Sequence, residues 1–490
     1  MTFRRFINFP LPLLICFYGT WILSAQTNTT GWFHPGPLFD RFQLTLSTGQ
    51  RTEALGPLFY HETNEDETTW AIPPLISHNS HPEINASEWD MGYPLLTLNR
   101  YGTEYRWQFI QLFSLSGGND QRDIEARRST IFPFYFQQRS KDPALNYTAV
   151  VPFYGHLKNR LFRDEIFFVM FPFYGQTRKR DVVTYNYLYP FFHLRHGDGL
   201  HGWQFWPLIG NEHKDVTTRT NGFGDVEVVG GYNKFFALWP FYFDQKTGIG
   251  TTNPATIHAS LPFFYWRRSP QRDVSSVITP FFNHIVERGK KYREWDAPWP
   301  VIEFARGEGK TTSRVWPFFS RAHNQTVADN FYLWPIYKYR RVHSDPLDLR
   351  RTRILFFLFS NRTEKNTGTG VTSRQVNCWP LFTYSRELNG NQRLQILALL
   401  EPFLPGNEHI RRDYSPLWSI WRSETNPRTS ARSQSLLWNL YRRDVTPKTR
   451  KCSLLFGLFQ YQSNQAGSEL RLFYIPVMKT GPQAGRPAAH

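Results

Sequence analysis

Three histidines and an aspartate fall close together in this chain: His193, His196 and His201 surround Asp198 in a Gly197-Asp198-Gly199 piece. Imidazole and carboxylate ligands can hold a divalent cation. The spacing matches no established metal motif, however, and a polar hairpin turn accounts for it equally well. Two glutamates are candidates for acid–base chemistry. Glu401 lies between Ile396-Leu397-Ala398-Leu399-Leu400 and Pro402-Phe403-Leu404, and Glu303 follows Trp299-Pro300-Val301-Ile302. A carboxylate desolvated by such neighbours has a raised pKa, as a general acid needs, and paired carboxylates support glycoside cleavage. The sequence selects no pair, and an Arg such as Arg411 would hold Glu401 equally well. Gly222-Phe223-Gly224 with Gly230-Gly231 lacks the spacing of a dinucleotide fingerprint, and there is no nucleophile elbow, P-loop or zinc-protease pair. No residue is therefore assigned as catalytic, cofactor-binding or metal-binding. The chain is expected not to be an enzyme and to need no cofactor.

Charge and compartment bound the remaining possibilities. Lys and Arg total 57 against 40 acids, a net charge of +17, most of it from Arg. Guanidinium groups pair with phosphates and carboxylates, so the expected partners are lipid or lipopolysaccharide phosphates, or an anionic polysaccharide. Residues 1–25 read as a signal peptide: Arg4 and Arg5, a largely apolar stretch from Phe6 to Leu23, then Ser24-Ala25-Gln26 as a cleavage point. Export makes nucleic acid an unexpected partner. Cys378 and Cys452 are the cysteines beyond that segment, too few for a disulfide framework, and are expected as free strand cysteines.

The elements that must carry these residues are repeats. Aromatics make up 17% of the chain, and an aromatic-Pro-apolar-aromatic unit recurs. It reads Phe132-Pro133-Phe134-Tyr135, Val151-Pro152-Phe153-Tyr154, Phe171-Pro172-Phe173-Tyr174 and Tyr189-Pro190-Phe191-Phe192, and continues to Trp379-Pro380-Leu381-Phe382. The prolines from Pro133 to Pro207 step by 19, 20, 18 and 17 residues. Ile354 to Phe359 is a copy without proline. Aromatic and β-branched residues favour strands, so each unit is expected to supply one strand. In Ser435 to Tyr441 one face would carry Leu436, Trp438 and Leu440. Polar pieces such as Arg178-Lys179-Arg180-Asp181 and Leu388-Asn389-Gly390-Asn391 are expected to be tight turns. Proline cannot donate to a ladder, so one proline per unit implies a recurrent break at one height.

The expected fold is all-β: an antiparallel up-and-down meander of roughly 20 strands with a period of about 19 residues, closed as a large barrel, with a β-solenoid as the alternative. Residues 26–129 form a divergent start, 130–478 the aromatic-Pro region, and 479–490 a disordered tail. Tyr93-Pro94-Leu95-Leu96-Thr97, Arg100-Tyr101-Gly102 and Gln111-Leu112-Phe113-Ser114 resemble a group of exported aromatic-Pro repeat proteins of bacteria for which no activity is known. That resemblance implies a repeat architecture and no reaction. An outer-membrane β-barrel, acting as a pore or a structural element, is the leading expectation. A soluble periplasmic or surface protein binding anionic polysaccharide, or acting as a scaffold, is the second, and a secreted polysaccharide hydrolase the third.

Overall fold

The computed structural model describes residues 36–119, 127–220 and 224–481. The expected signal peptide lies outside these residues, as does most of the expected tail, although Lys479 and Thr480 belong to the last strand, Ile475–Thr480. The chain is all-β. One sheet holds 43 strands, and a separate hairpin pairs Thr217–Thr220 with Val226–Val229. Every pairing is antiparallel and joins a strand to its neighbour in the chain, except that Gly231–Ala237 pairs with Ile209–Lys214 across the side hairpin. Strands run four to eight residues. Residues 40–119 continue the same meander as the rest. The antiparallel order leaves no room for a parallel solenoid. The sheet is open: Asp40–Gln43 and Ile475–Thr480 each pair on one side.

The strand count is twice the expected one, because the aromatic-Pro segments are turns. Arg163–Val169 ends before Met170-Phe171-Pro172-Phe173, and Tyr174–Lys179 begins after it. The proline-free copy at Leu355 to Leu358 is likewise a turn between Leu347–Ile354 and Phe359–Asn366. Leu436, Trp438 and Leu440 do not share a strand face either, since Ala431–Leu436 stops where that turn begins. Each roughly 19-residue unit therefore contains a whole hairpin. Apolar runs suggest strands because turns are ordinarily polar; here one set of turns is apolar and the other polar. In a meander, alternate turns share an edge, so the aromatic-Pro turns lie along one edge of the sheet. The expected break at one height is this edge.

Backbone hydrogen bonds explain the motif. In Met170-Phe171-Pro172-Phe173 the Phe173 N–H donates to Met170 O at 2.8 Å, closing the turn. The Met170 N–H donates to Phe153 O at 2.6 Å and the Phe171 N–H to Pro152 O at 2.7 Å, both in the preceding turn. The next turn repeats this: Leu188 to Phe173 O and Tyr189 to Pro172 O, each at 2.7 Å. Neighbouring turns are thus stitched along the edge, and the one position without a donor is proline. The first turn residue sits in the left-handed region, with φ 47° at Met170 and 48° at Leu188 and Ile278.

The result is largely a single layer. Among the described residues buried polar side chains outnumber buried apolar ones, and many form one row inside the proline edge, including Ser276, Ser320, Ser360, Asn377, Ser435 and Ser453. One small apolar core gathers Phe136, Tyr147, Ala149, Leu157 and Phe168.

At the polar edge, backbones of adjacent hairpins meet closely. Gly197 has φ +113°, and a Cβ there would lie 1.9 Å from Asp181 O. Gly197→Ala should cost roughly 1–3 kcal/mol. Because repeat stability is local, hydrogen exchange should quicken in Val182–Tyr187 and Phe192–Gly197 and stay unchanged in strands far along the sheet.

Candidate functional site

Two features stand out from the repeat: the proline edge itself, and the place where the first strands meet the last. Along the edge, where aromatics precede the prolines of consecutive turns, their rings meet at a tilt. Phe171 and Tyr189 lie 5.6 Å apart between ring centroids, Trp206 and Trp239 5.6 Å, and Trp316 and Trp334 5.8 Å. The residue after each proline points outward. Phe173, Phe263 and Phe318 are 62%, 70% and 61% exposed, and Phe134, Phe153, Phe241 and Leu381 are exposed in the same position. The strands grade in the same direction: Arg163–Val169 runs from Arg163, Asp164 and Glu165 at the polar edge to Ile166, Phe167, Phe168 and Val169 at the proline edge.

The second feature is an overlap of the two ends of the meander, held by side chains. Asn439 Nδ2 donates to Asp40 Oδ2 and to Glu53 Oε2, both at 2.8 Å. The Arg442 guanidinium lies 3.3 Å over the Phe42 ring. Burial disfavours charge on Glu53, but Arg51, Arg422 and Arg442 together hold its carboxyl below the usual range. A cavity of about 420 Å³ remains between the layers, lined by Arg51, Glu62, Arg393, Arg422 and Glu424 among others.

A helical insert anchors this overlap. Helix α1, Glu408–Asp413, is capped by the Asn407 side chain, which accepts from the Ile410 N–H at 3.2 Å. Helix α2, Ser415–Trp418, follows at once. Arg412 reaches onto the early strands, donating to Glu88 Oε1 at 2.6 Å, to Ser77 Oγ at 3.0 Å and to Asp90. His409 Nδ1 lies 2.6 Å from Asp90 Oδ2, and its ring stacks on Tyr93 at 4.3 Å. Glu88, Asp90 and His409 converge as metal ligands would, yet Arg412 already supplies the cation there. Burial lowers the imidazolium's preference for its proton, but Asp90 and Glu88 more than offset this and raise the His409 pKa. Burial, with the Asp90 charge, pushes Asp413 up to about 6 against the opposing pull of Ser77 and Arg412.

The residues singled out from sequence are placed elsewhere. His196 and His201 are cross-strand partners, whereas His193 is on the opposite face, its Nε2 donating to Pro190 O at 2.7 Å. Asp198 accepts from Lys214 Nζ at 2.7 Å. No metal site forms from this group. Glu401 accepts from Gln395 Nε2 at 2.7 Å, Ser415 Oγ at 2.5 Å and Trp418 Nε1 at 3.1 Å, which ties the helical insert to the sheet. Glu303 is buried against Arg314 at 2.9 Å. Each carboxylate is held by its own donors in a different part of the sheet. Cys378 and Cys452 are free thiols, and Gly222 and Phe223 lie outside the described residues. The overlap residues His409, Arg412 and Asn439 were missed. Asn407 ahead of Glu408, where the regular hairpin spacing fails, is the signal that could have found α1. Comparison with models of known families and with curated proteins finds no match.

Removing Arg412 would leave Glu88, Asp90 and Asp413 facing one another. Arg412→Met should destabilise the overlap by about 3–5 kcal/mol, seen as faster hydrogen exchange in Ile76–His81 and Ala86–Met91. For Asp413 the folded pKa is raised, so its contribution is fully present below its ordinary value and lost as pH climbs through about 6. Asp413→Asn should flatten the decline in overlap stability between pH 4 and 7, measured by exchange in the same two strands.

Proposed function

We propose that this protein is a non-enzymatic component of a bacterial envelope, exported, and seated edge-on in a lipid surface through its proline turns. The observation that carries this reading is the file of outward Phe and Leu side chains on one edge, with charged turns on the other. Exposed apolar patches of this extent mark interaction surfaces, and each half-exposed ring transferred to an apolar phase contributes on the order of 1 kcal/mol. In Arg163–Val169 the gradient runs along the strand rather than alternating across it, which suits a ribbon standing in an interface. Strands of four to eight residues are shorter than the 9–11 a tilted spanning strand needs, so edge insertion is favoured over crossing. In this reading the barrel expected from sequence is a ribbon whose two ends are joined by the overlap instead of a hydrogen-bonded seam. The charge of +17 adds attraction to anionic headgroups.

Flotation with vesicles of phosphatidylcholine and phosphatidylglycerol tests the proposal. The protein is expected to float with vesicles in high salt, where headgroup attraction is screened. The triple variant Phe173→Ser, Phe263→Ser, Phe318→Ser should partition roughly a hundredfold less. A wild-type protein that stays in the soluble fraction would sink the proposal, and retention on an anionic polysaccharide column would then favour the surface-binding alternative.

A further inference from the structure

Three consecutive strands of eight residues, Tyr337–Ser344, Leu347–Ile354 and Phe359–Asn366, carry a concentration of Arg. Their register puts Arg340 opposite Arg351 and Arg351 opposite Arg362, with Lys338 opposite Arg353 in the adjoining row. Cross-strand partners share a face, with Cβ atoms about 5 Å apart, and like charges so placed destabilise a sheet. On the other face of the same strands Arg341 and Arg350 are also direct partners, but there the buried Asp348 accepts from both, at 2.8 and 2.9 Å. On the first face the acids sit at the rim, with Asp329 opposite Arg340 and Glu364 two residues beyond Arg362, and neither is shared between two arginines. Asp329 pairs with Lys338 at 3.3 Å and Glu364 with Arg362 at 3.1 Å. Among the described residues no carboxylate pairs with Arg340, Arg351 or Arg353, and Arg351 Nε is buried without an acceptor.

We infer that this face is a binding site for a phosphate-bearing ligand, held by Arg340, Arg351 and Arg353. Guanidinium groups match tetrahedral oxyanions with paired N–H donors. A grid about 5 Å on a side spans a diphosphate, and an unshared cluster of cations is relieved when one binds. Burial and the charges of Arg353, Arg362 and Arg340 depress the pKa of Arg351, the direction expected where a counter-anion is wanting. The site stands on strand register alone and holds whether or not the proline edge meets lipid. The phosphate can belong to a soluble phosphoester or to a lipid headgroup.

Thermal melting and calorimetry with inorganic pyrophosphate, at constant ionic strength, test the inference. Wild-type protein should melt higher with pyrophosphate than with matched chloride. Arg351→Gln should weaken binding at least tenfold while melting at or above the wild type without ligand, because a repulsion has been removed. Arg350→Gln, on the opposite face, should leave pyrophosphate binding unchanged. Vesicles containing phosphatidic acid supply the second arm. Protection by vesicles alone assigns the phosphate to a headgroup, and protection by pyrophosphate assigns it to a soluble group. Absence of protection in both arms, or equal protection of the wild type and Arg351→Gln, overturns the inference.

Discussion

A prolyl nitrogen has no hydrogen to donate, and the architecture follows from where that missing donor falls. The proline turns at 170–173, 188–191, 238–241, 278–281 and 333–336 each have four peptide positions. Two N–H groups reach the preceding turn and one closes its own turn, as Met170, Phe171 and Phe173 show. The remaining position is proline, so no N–H is left over at the edge. An ordinary residue there must find another acceptor for its N–H, as Phe357 does in the proline-free copy by donating to Leu355 O at 2.9 Å. At an edge covered with Phe, Tyr and Trp, and more so at one immersed in lipid, an unsatisfied donor costs several kcal/mol. The proline and the aromatics around it are therefore two halves of one device: aromatics make the edge apolar, and proline removes the group that could not tolerate an apolar edge.

A sheet stabilised this way needs little core. Its strands gain hydrogen bonds from both neighbours, its edge gains ring contacts, and small polar residues such as Ser276, Ser320 and Ser360 fill the row beneath the turns. Near-identical hairpins bring a register problem, since many strands could stack on many others with similar energy. The overlap answers it with groups that occur once. Asn439 binding both Asp40 and Glu53, and Arg412 among Glu88, Asp90 and Ser77, have no equivalents one hairpin along. Buried ion pairs contribute little net stability but penalise mispairing heavily, because a slipped register strands the charges. In a repeat sheet that property matters more than the net free energy.

The period, the antiparallel order and the common height of the prolines were legible in the sequence, because each depends on spacing. The polar turns were legible for the same reason, as at Arg180-Asp181 between Tyr174–Lys179 and Val182–Tyr187. The assignment of the aromatic runs was not. Phe171-Pro172-Phe173-Tyr174 satisfies every composition rule for a strand except its proline, and only the hydrogen bonds between turns show that the whole motif is a corner. The overlap was illegible for a different reason. Asn439 is separated from Asp40 and Glu53 by hundreds of residues, and none of the three has a local pattern that announces this partner. His193, His196 and His201 show the converse: closeness in sequence suggested a cluster, and strand alternation put His193 on the far side.

Charge illustrates how register turns composition into chemistry. Counted along the chain, Arg340, Arg341, Arg350, Arg351 and Arg353 are one basic stretch. Paired across strands they separate into two faces treated differently: on one the buried Asp348 is shared by two arginines, and on the other Asp329 and Glu364 at the rim pair with Lys338 and Arg362. The repeat does not impose the second arrangement, because the same row continues through Gln375 and Ser385 on the following strands and begins at Asp329 on the preceding one. A neutral or acidic residue is thus compatible with that position, and the row accepts Arg on three strands in succession. Since the chain neutralises adjacent arginines on the reverse face with a single Asp, leaving Arg351 and Arg353 without an ion-pair partner is a local exception to that arrangement. Exceptions to local consistency are where function is to be sought.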